Sequence, residues 1–348
     1  LAFAPALDFS ALAWSLYLVL ATAALILAWR EAVYLSGALA ALVLTLLLLA
    51  IGLMQPQPGS TLIAAFVAAP LFAVPGLALL HRARGWAIVA LGGIAGPLLL
   101  ANACDWDRLA DWQWAALELA AAALAAWVSW RRRTEVNTRD PGLIGGALIA
   151  AILAATGLGQ LAGGDWVAIP LAFAAIGLGF WARRIGDQHL RLLPVLALAA
   201  TILAGIEPLG RYLIAIAESV SGAHLPWLQL PNLGAAMRHL LPPLAAAALL
   251  LTDRNQFGRA RPAILVGTIV LGLLLLYHLA KLPLAIADEA RFPAWGFVER
   301  ALITHALLAA GWVALRRTSW AALGICLFGL GLARILWFDL LLLNPALV

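Results

Sequence analysis

Residues 32–54 read AVYLSGALAALVLTLLLLAIGLM, 23 residues without one charged side chain. About 20 consecutive apolar residues are enough to cross the hydrocarbon core of a bilayer as a helix. Inside lipid the backbone must satisfy its own hydrogen bonds, which leaves helices or closed barrels. Barrel strands alternate polar and apolar residues, and this stretch does not. It therefore predicts a transmembrane helix.

The same reading extends over the chain. Apolar runs lie near 10–29, 32–54, 61–80, 85–103, 112–130, 142–162, 166–182, 192–209, 239–251, 262–284, 296–315 and 319–343. The ninth is the weakest, short and opening on Pro242 and Pro243. Turn chemistry separates the runs: QPQPGS at 55–60, TRDPG at 138–142, LAGGDW at 161–166 and GRARP at 258–262. The predicted fold class is all-α, a polytopic transmembrane helical bundle of about 12 spans. The 348 residues are 64% hydrophobic and 11% charged, where soluble domains are about a quarter charged. No connection is long enough for a soluble domain, so residues 1–348 are read as a single integral membrane domain. The chain starts and stops beside apolar runs, and the expectation is a segment of a longer protein.

Charge gives the orientation. Alternate connections hold 15 of the 22 basic residues and 5 of the 17 acidic ones, a net +10; the opposite side is left at −5. Arg and Lys resist translocation, so the basic side is expected in the cytoplasm and both ends of the segment outside it. The same asymmetry accounts for the basic pI of about 9.9 and removes nucleic acid as the expected partner. The expected partners are membrane lipids and a small-molecule or lipid-linked substrate. Much Ala, Leu, Arg and Trp with almost no Lys hints at a GC-rich bacterial genome, and hence a bacterial inner membrane.

The longest connection, 210–238, begins with a stretch read as a short helix lying at the membrane surface after Pro208. Charges buried in lipid cost about 2.5–3.5 kcal/mol each on insertion scales. Here they gather toward the outer ends of the runs. Glu118 lies two turns into the fifth, and Glu207 and Arg211 close the eighth. His278 and Lys281 share a face near the end of the tenth. Glu299, Arg300 and His305 open the eleventh; Arg334 and Asp339 lie in the outer half of the twelfth. Arg334 and Asp339 are five residues apart, roughly 140° around a helix, so they do not pair within one regular helix. Arg334 is expected to meet a carboxylate from another helix, with Glu299 or Glu118 as candidates. These ten residues make up a predicted polar cavity opening outward. The competing reading of Lys281 and Arg300 is snorkelling to head groups. His305 has its own, a structural hydrogen bond.

No Walker loop, HExxH, GxSxG or metal-ligand spacing is present, and Cys104 and Cys326 form no CxxC pair. No cofactor is expected. Gly92, Gly93, Gly96 and Pro97, with Pro70 and Pro75, read as breaks within spans, as in the discontinuous helices of carriers. The expected role is transport or flipping of an envelope molecule. Its rivals are a membrane-embedded transferase using Glu299 or His305, and a scaffold.

The last 50 residues, with ERALITHALLAAGWVALRRTSWAALGICLFGLGLARILWFDLLLLNP at their centre, resemble the C-terminal part of bacterial membrane proteins in domain-of-unknown-function family 2339. The positions that carry the resemblance are Glu299, Trp312, Arg316, Arg317, Arg334, Phe338 and Asp339. It implies a polytopic membrane protein and brings no activity with it.

Overall fold

The computed structural model describes residues 9–55, 59–104, 109–136, 138–221, 230–252, 257, 260–284, 292–316 and 320–336; for 219–221, 280–284 and 292–300 it describes the helix alone. Among these residues the chain is helical and contains no strand. It divides into two compact units, Leu1–Ala204 with Ala245–Leu265, and Gly205–Leu244 with Val266–Val348.

The first unit holds α1 (Ala11–Arg30), α2 (Leu35–Leu53), α3 (Gly59–Ala78), α4 (Arg84–Ala103), α5 (Asp111–Arg131), α6 (Pro141–Ala162), α7 (Ala168–Ile185) and α8 (Leu193–Leu203). Local chemistry sets several boundaries. Ser10 caps α1, its hydroxyl accepting from the Ala13 N–H at 3.3 Å. Asp140 caps α6 just ahead of Pro141, where a proline has no N–H to lose. Gly186, at φ 78°, closes α7 in the left-handed conformation.

Within this unit α1 packs on α2 and α3, α3 pairs with α4, and α5 pairs with α6. Trp14, Leu42, Phe72, Trp86 and Val89 lie in the core between the first four helices. The polar atoms that enter it are matched: Trp14 Nε1 donates to Thr61 Oγ1 at 3.2 Å, and Tyr17 Oη donates to the Ala41 carbonyl at 3.0 Å.

Outside the core the helices stay apolar. On α1, Leu12, Leu16, Val19 and Leu20 are 61–71% exposed, while Trp14, Ala21, Leu25 and Ala28 are buried. Phe173 and Phe180 of α7 are likewise exposed. A helix apolar on every side is suited to lipid, which solvates the face that the protein leaves uncovered.

The glycines and prolines of α3 and α4 do not break those helices. Both run unbroken through Pro70, Pro75 and Pro97. A Cβ on Gly76 would lie 2.4 Å from the Ala90 backbone nitrogen, and one on Gly93 2.5 Å from that of Ala73. The small residues bring two backbones together, the usual means of joining helices in lipid. The discontinuous-helix argument for transport is thereby corrected.

The second unit contains α9 (Ile206–Ser221), most of α10 (Leu233–Leu251) and α11 (Arg261–Leu284), α12 (Phe292–Leu315) and α13 (Ala321–Arg334). α12 and α13 form its tightest pair, where a Cβ on Gly311 would meet the Phe328 backbone nitrogen at 2.6 Å. α10 begins six residues earlier than its apolar run predicts. Asn232 supplies the cap, its side chain accepting from the Ala235 N–H at 2.7 Å, and Pro242 and Pro243 fall inside the helix.

Each of the twelve apolar runs contains a helix, and the eighth is interrupted at 204–205. Among the described residues eight helices are long and apolar enough to cross a membrane, or nine if Leu190–Leu203 and Ile206–Glu218 form one bent span. The eighth run, read to residue 209, stops at Leu203, and α9 starts at Ile206. α8 has 11 residues, and the described apolar parts of the last two helices, Ala301–Leu315 and Ala321–Arg334, are short. α5 has ample length, 21 residues, but carries Asp111, Glu118 and Arg131.

Candidate functional site

α5 begins with a closed turn, in which the Ala110 N–H donates to Gln113 Oε1 at 3.0 Å. Seven residues after Asp111, or two helical turns and about 10 Å further along the axis, the same face presents Glu118. Its side chain is fully buried. α6 comes close here because residue 157 is glycine: a Cβ there would stand 3.2 Å from both the Ala115 carbonyl oxygen and Glu118 Cβ.

That approach brings uncharged polar groups to the carboxylate. Asn102, at the end of α4, donates from Nδ2 to Glu118 Oε1 at 2.6 Å. Gln160 of α6 donates from Nε2 to Asn102 Oδ1 at 3.1 Å. The Thr156 hydroxyl also interacts with the carboxylate and lies 3.1 Å from the Leu153 carbonyl oxygen. Glu118 Oε2 accepts no hydrogen bond.

Asn102, Thr156 and Gln160 also line an open groove of about 460 Å³, together with Asp111, Gly163 and Gly164. The arrangement is a buried carboxyl joined by two amides to an open groove large enough for a small polar molecule.

The other end of the α5/α6 hairpin is built from charges. Arg132 clamps Asp140 with two hydrogen bonds, Nε to Oδ1 at 3.2 Å and Nη2 to Oδ2 at 2.5 Å. Asp140 Oδ1 also accepts from the Gly142 and Leu143 N–H groups. Arg84 reaches Glu135 at 3.3 Å and Asp140 at 3.6 Å. Burial alone would raise the Asp140 pKa. The Arg132 guanidinium and the two backbone donors override that and hold the carboxyl below its ordinary value. Beside this knot Arg131 lies over the Trp127 ring and Arg133 over Trp130, at 5.1 and 4.0 Å from the centroids.

The remaining predicted site residues belong to the second unit. His278 is buried and its Nδ1 shares a hydrogen bond with Tyr212 Oη at 3.0 Å. Arg334 is buried at the end of α13, where Nε donates to Thr304 Oγ1 of α12 at 3.2 Å. Glu207 and Arg211 form an exposed pair at 2.7 Å along one face of α9. His305 is exposed, with Nδ1 2.7 Å from the Ala301 carbonyl oxygen one turn back. Lys281, Glu299 and Arg300 lie in helices whose side chains fall outside the described residues, as does Asp339 altogether.

Asn102 and Gln160 are the groove residues that a search for charge passes over. Their signal is an amide within a turn of the end of an otherwise apolar helix, in LLLANA and TGLGQLA. Among the described residues no three His, Cys, Asp or Glu side chains gather as a metal site requires. Compared with known protein families, curated proteins and solved structures, the chain matches none.

Proposed function

We propose that this chain is a multi-pass protein of a bacterial inner membrane that moves or flips a small or lipid-linked envelope molecule, using the Asn102–Thr156–Gln160 groove as its outward-facing binding site. The observation that carries the reading is the fully buried Glu118 carboxylate tied through Asn102 and Gln160 to an open groove. Ionisable groups sunk in lipid are costly and are a mark of ion and substrate paths. About twelve spans, with the arginine-bearing turns in the cytoplasm and both ends of the segment outside, put this groove on the extracytoplasmic side. The Arg–Trp stacks support that orientation. Arg131, Arg133 and Arg316 lie over Trp127, Trp130 and Trp312 at helix ends that the charge count assigns to the cytoplasm.

Transport is favoured over chemistry because the described groove lining, apart from the Thr156 hydroxyl and the Asp111 carboxylate, holds no Ser, Cys, His or Lys to act with Glu118. The test is single substitution in the protein at its native locus: Glu118→Gln, Asn102→Leu and Gln160→Leu, beside Glu299→Gln, His305→Ala and Arg334→Ala. Loss of complementation of a deletion strain in the first set, with normal membrane levels, supports the groove. Full complementation by all three of them removes it. Loss confined to Glu299 and His305 moves the site to the second unit and favours the transferase.

A further inference from the structure

Glu118 poses a question that binding at the groove does not answer, namely which charge state it keeps. An ionised carboxylate taken out of water needs a counter-charge or several donors. Glu118 has neither. Oε1 accepts one amide N–H and Oε2 accepts none. The Thr156 hydroxyl beside it lies 3.1 Å from the Leu153 carbonyl oxygen, and with its proton turned there its own oxygen can accept from the carboxyl.

Among the described residues α4 and α6, the helices packed most closely on α5, supply no cation to Glu118. Within α6 no residue from Pro141 to Ala162 is titratable. Within α4 the only charged residue is Arg84, at the opposite end, where it pairs with Glu135 and Asp140. Cys104 follows α4, and the nearest charge on α5 itself is Asp111, two turns away on the groove wall and of the same sign. Asp165 follows α6 and is again acidic.

We propose that Glu118 is a proton-binding site, occupied at neutral pH, with the proton on Oε2 and pointing at the Thr156 oxygen. In that state every atom has a role: Oε1 accepts from Asn102 and Oε2–H donates to Thr156. Release breaks the Oε2–H bond, passes the proton to water admitted from the groove and leaves a carboxylate with one donor. Loading is the reverse, with water as the source. The site is thus a switch with two charge states, about 10 Å from the groove end of its helix. The proposal uses the groove only as the proton's way to water. It concerns Glu118 itself and holds whatever the groove carries.

The experiment is infrared spectroscopy of the reconstituted protein with isotope-labelled glutamate. The expected result at neutral pH is a protonated-carboxyl band that is absent from Glu118→Gln and shifted in Glu118→Asp, and that disappears reversibly at alkaline pH. The Asp variant assigns the band even if the Gln variant does not fold. A neutral Glu118 makes the folded chain the tighter proton binder, so stability should fall as pH rises through its titration in the native protein and stay flat in Glu118→Gln. No such band at neutral pH overturns the proposal. So does stability that depends on sodium rather than pH, because the carboxylate would then be ionised around a metal cation. Either failure leaves the groove reading standing, and loss of complementation in Asn102→Leu with the band intact separates the two in the other direction.

Discussion

The two ends of the α5/α6 hairpin treat a fully buried carboxylate in opposite ways. At one end Asp140 has a bidentate arginine, two backbone N–H donors and a second arginine nearby. At the other, Glu118 has a single amide. The first is a group whose charge is fully compensated, so it fixes the turn between two helices and has no reason to change. The second lacks compensation for a charge, which makes its protonation state a variable. Burial therefore does not distinguish these two acids; the number and charge of their donors does.

Substitutions can break this contrast, and they rank by expected effect. Asp140→Ala removes the cap of α6 and leaves Arg132 facing an empty acceptor site. Losing one partner of a buried pair costs about 3–5 kcal/mol. Unfolding of the detergent-solubilised protein should report the largest loss of the series. Because the Asp140 pKa is held down in the fold, its contribution is present at neutral pH and fades as pH falls through the acid range. Asp140→Asn should be weaker at neutral pH and lose that acid dependence.

Gly146→Leu forces a side chain against the α5 backbone, where even a Cβ would lie 2.8 Å from the Ala125 carbonyl oxygen. Overpacking of this kind costs about 1–3 kcal/mol, and both ends of the hairpin should loosen together in hydrogen exchange. Asn102→Leu takes away the amide donor to Glu118 and should cost about 1–3 kcal/mol, since a buried acceptor is left unmade. A clearly smaller loss in this variant than in Asp140→Ala sharpens the contrast between the two ends; equal losses would erase it. Arg133→Ala, which removes the stack on Trp130, should cost at most about 1 kcal/mol at this exposed site. Its visible effect should be on the proportion of correctly oriented protein.

The helices were legible in the sequence because lipid imposes a simple rule, and long uncharged runs such as 32–54 obey it. Their internal boundaries were less so. The start of α10 depends on Asn232, whose capping bond outweighs the stop signal of Pro242 and Pro243. Gly92, Gly93 and Gly96 of α4 read as breaks because a sequence gives no neighbours; only the packed structure shows them as contact points, Gly93 against the α3 backbone and Gly92 and Gly96 against Leu42 and Leu46. The site divides along the same line. Glu118 and Arg334 stand out by the cost of their charge, and both are buried. Asn102, Gln160 and Tyr212 carry no charge, lie 16 to 66 residues from the groups they bond, and acquire meaning only when helices pack.

The claim on which the account depends is that the charged end of the hairpin faces the cytoplasm and the groove end faces the water outside. With Cys104 and Cys326 replaced, single cysteines at Thr138 and Gly164 can be exposed to a membrane-impermeant maleimide in sealed cells. The account predicts that Gly164→Cys is labelled from outside and Thr138→Cys only after the membrane is opened. Labelling of Thr138→Cys in sealed cells, with Gly164→Cys protected, would contradict it.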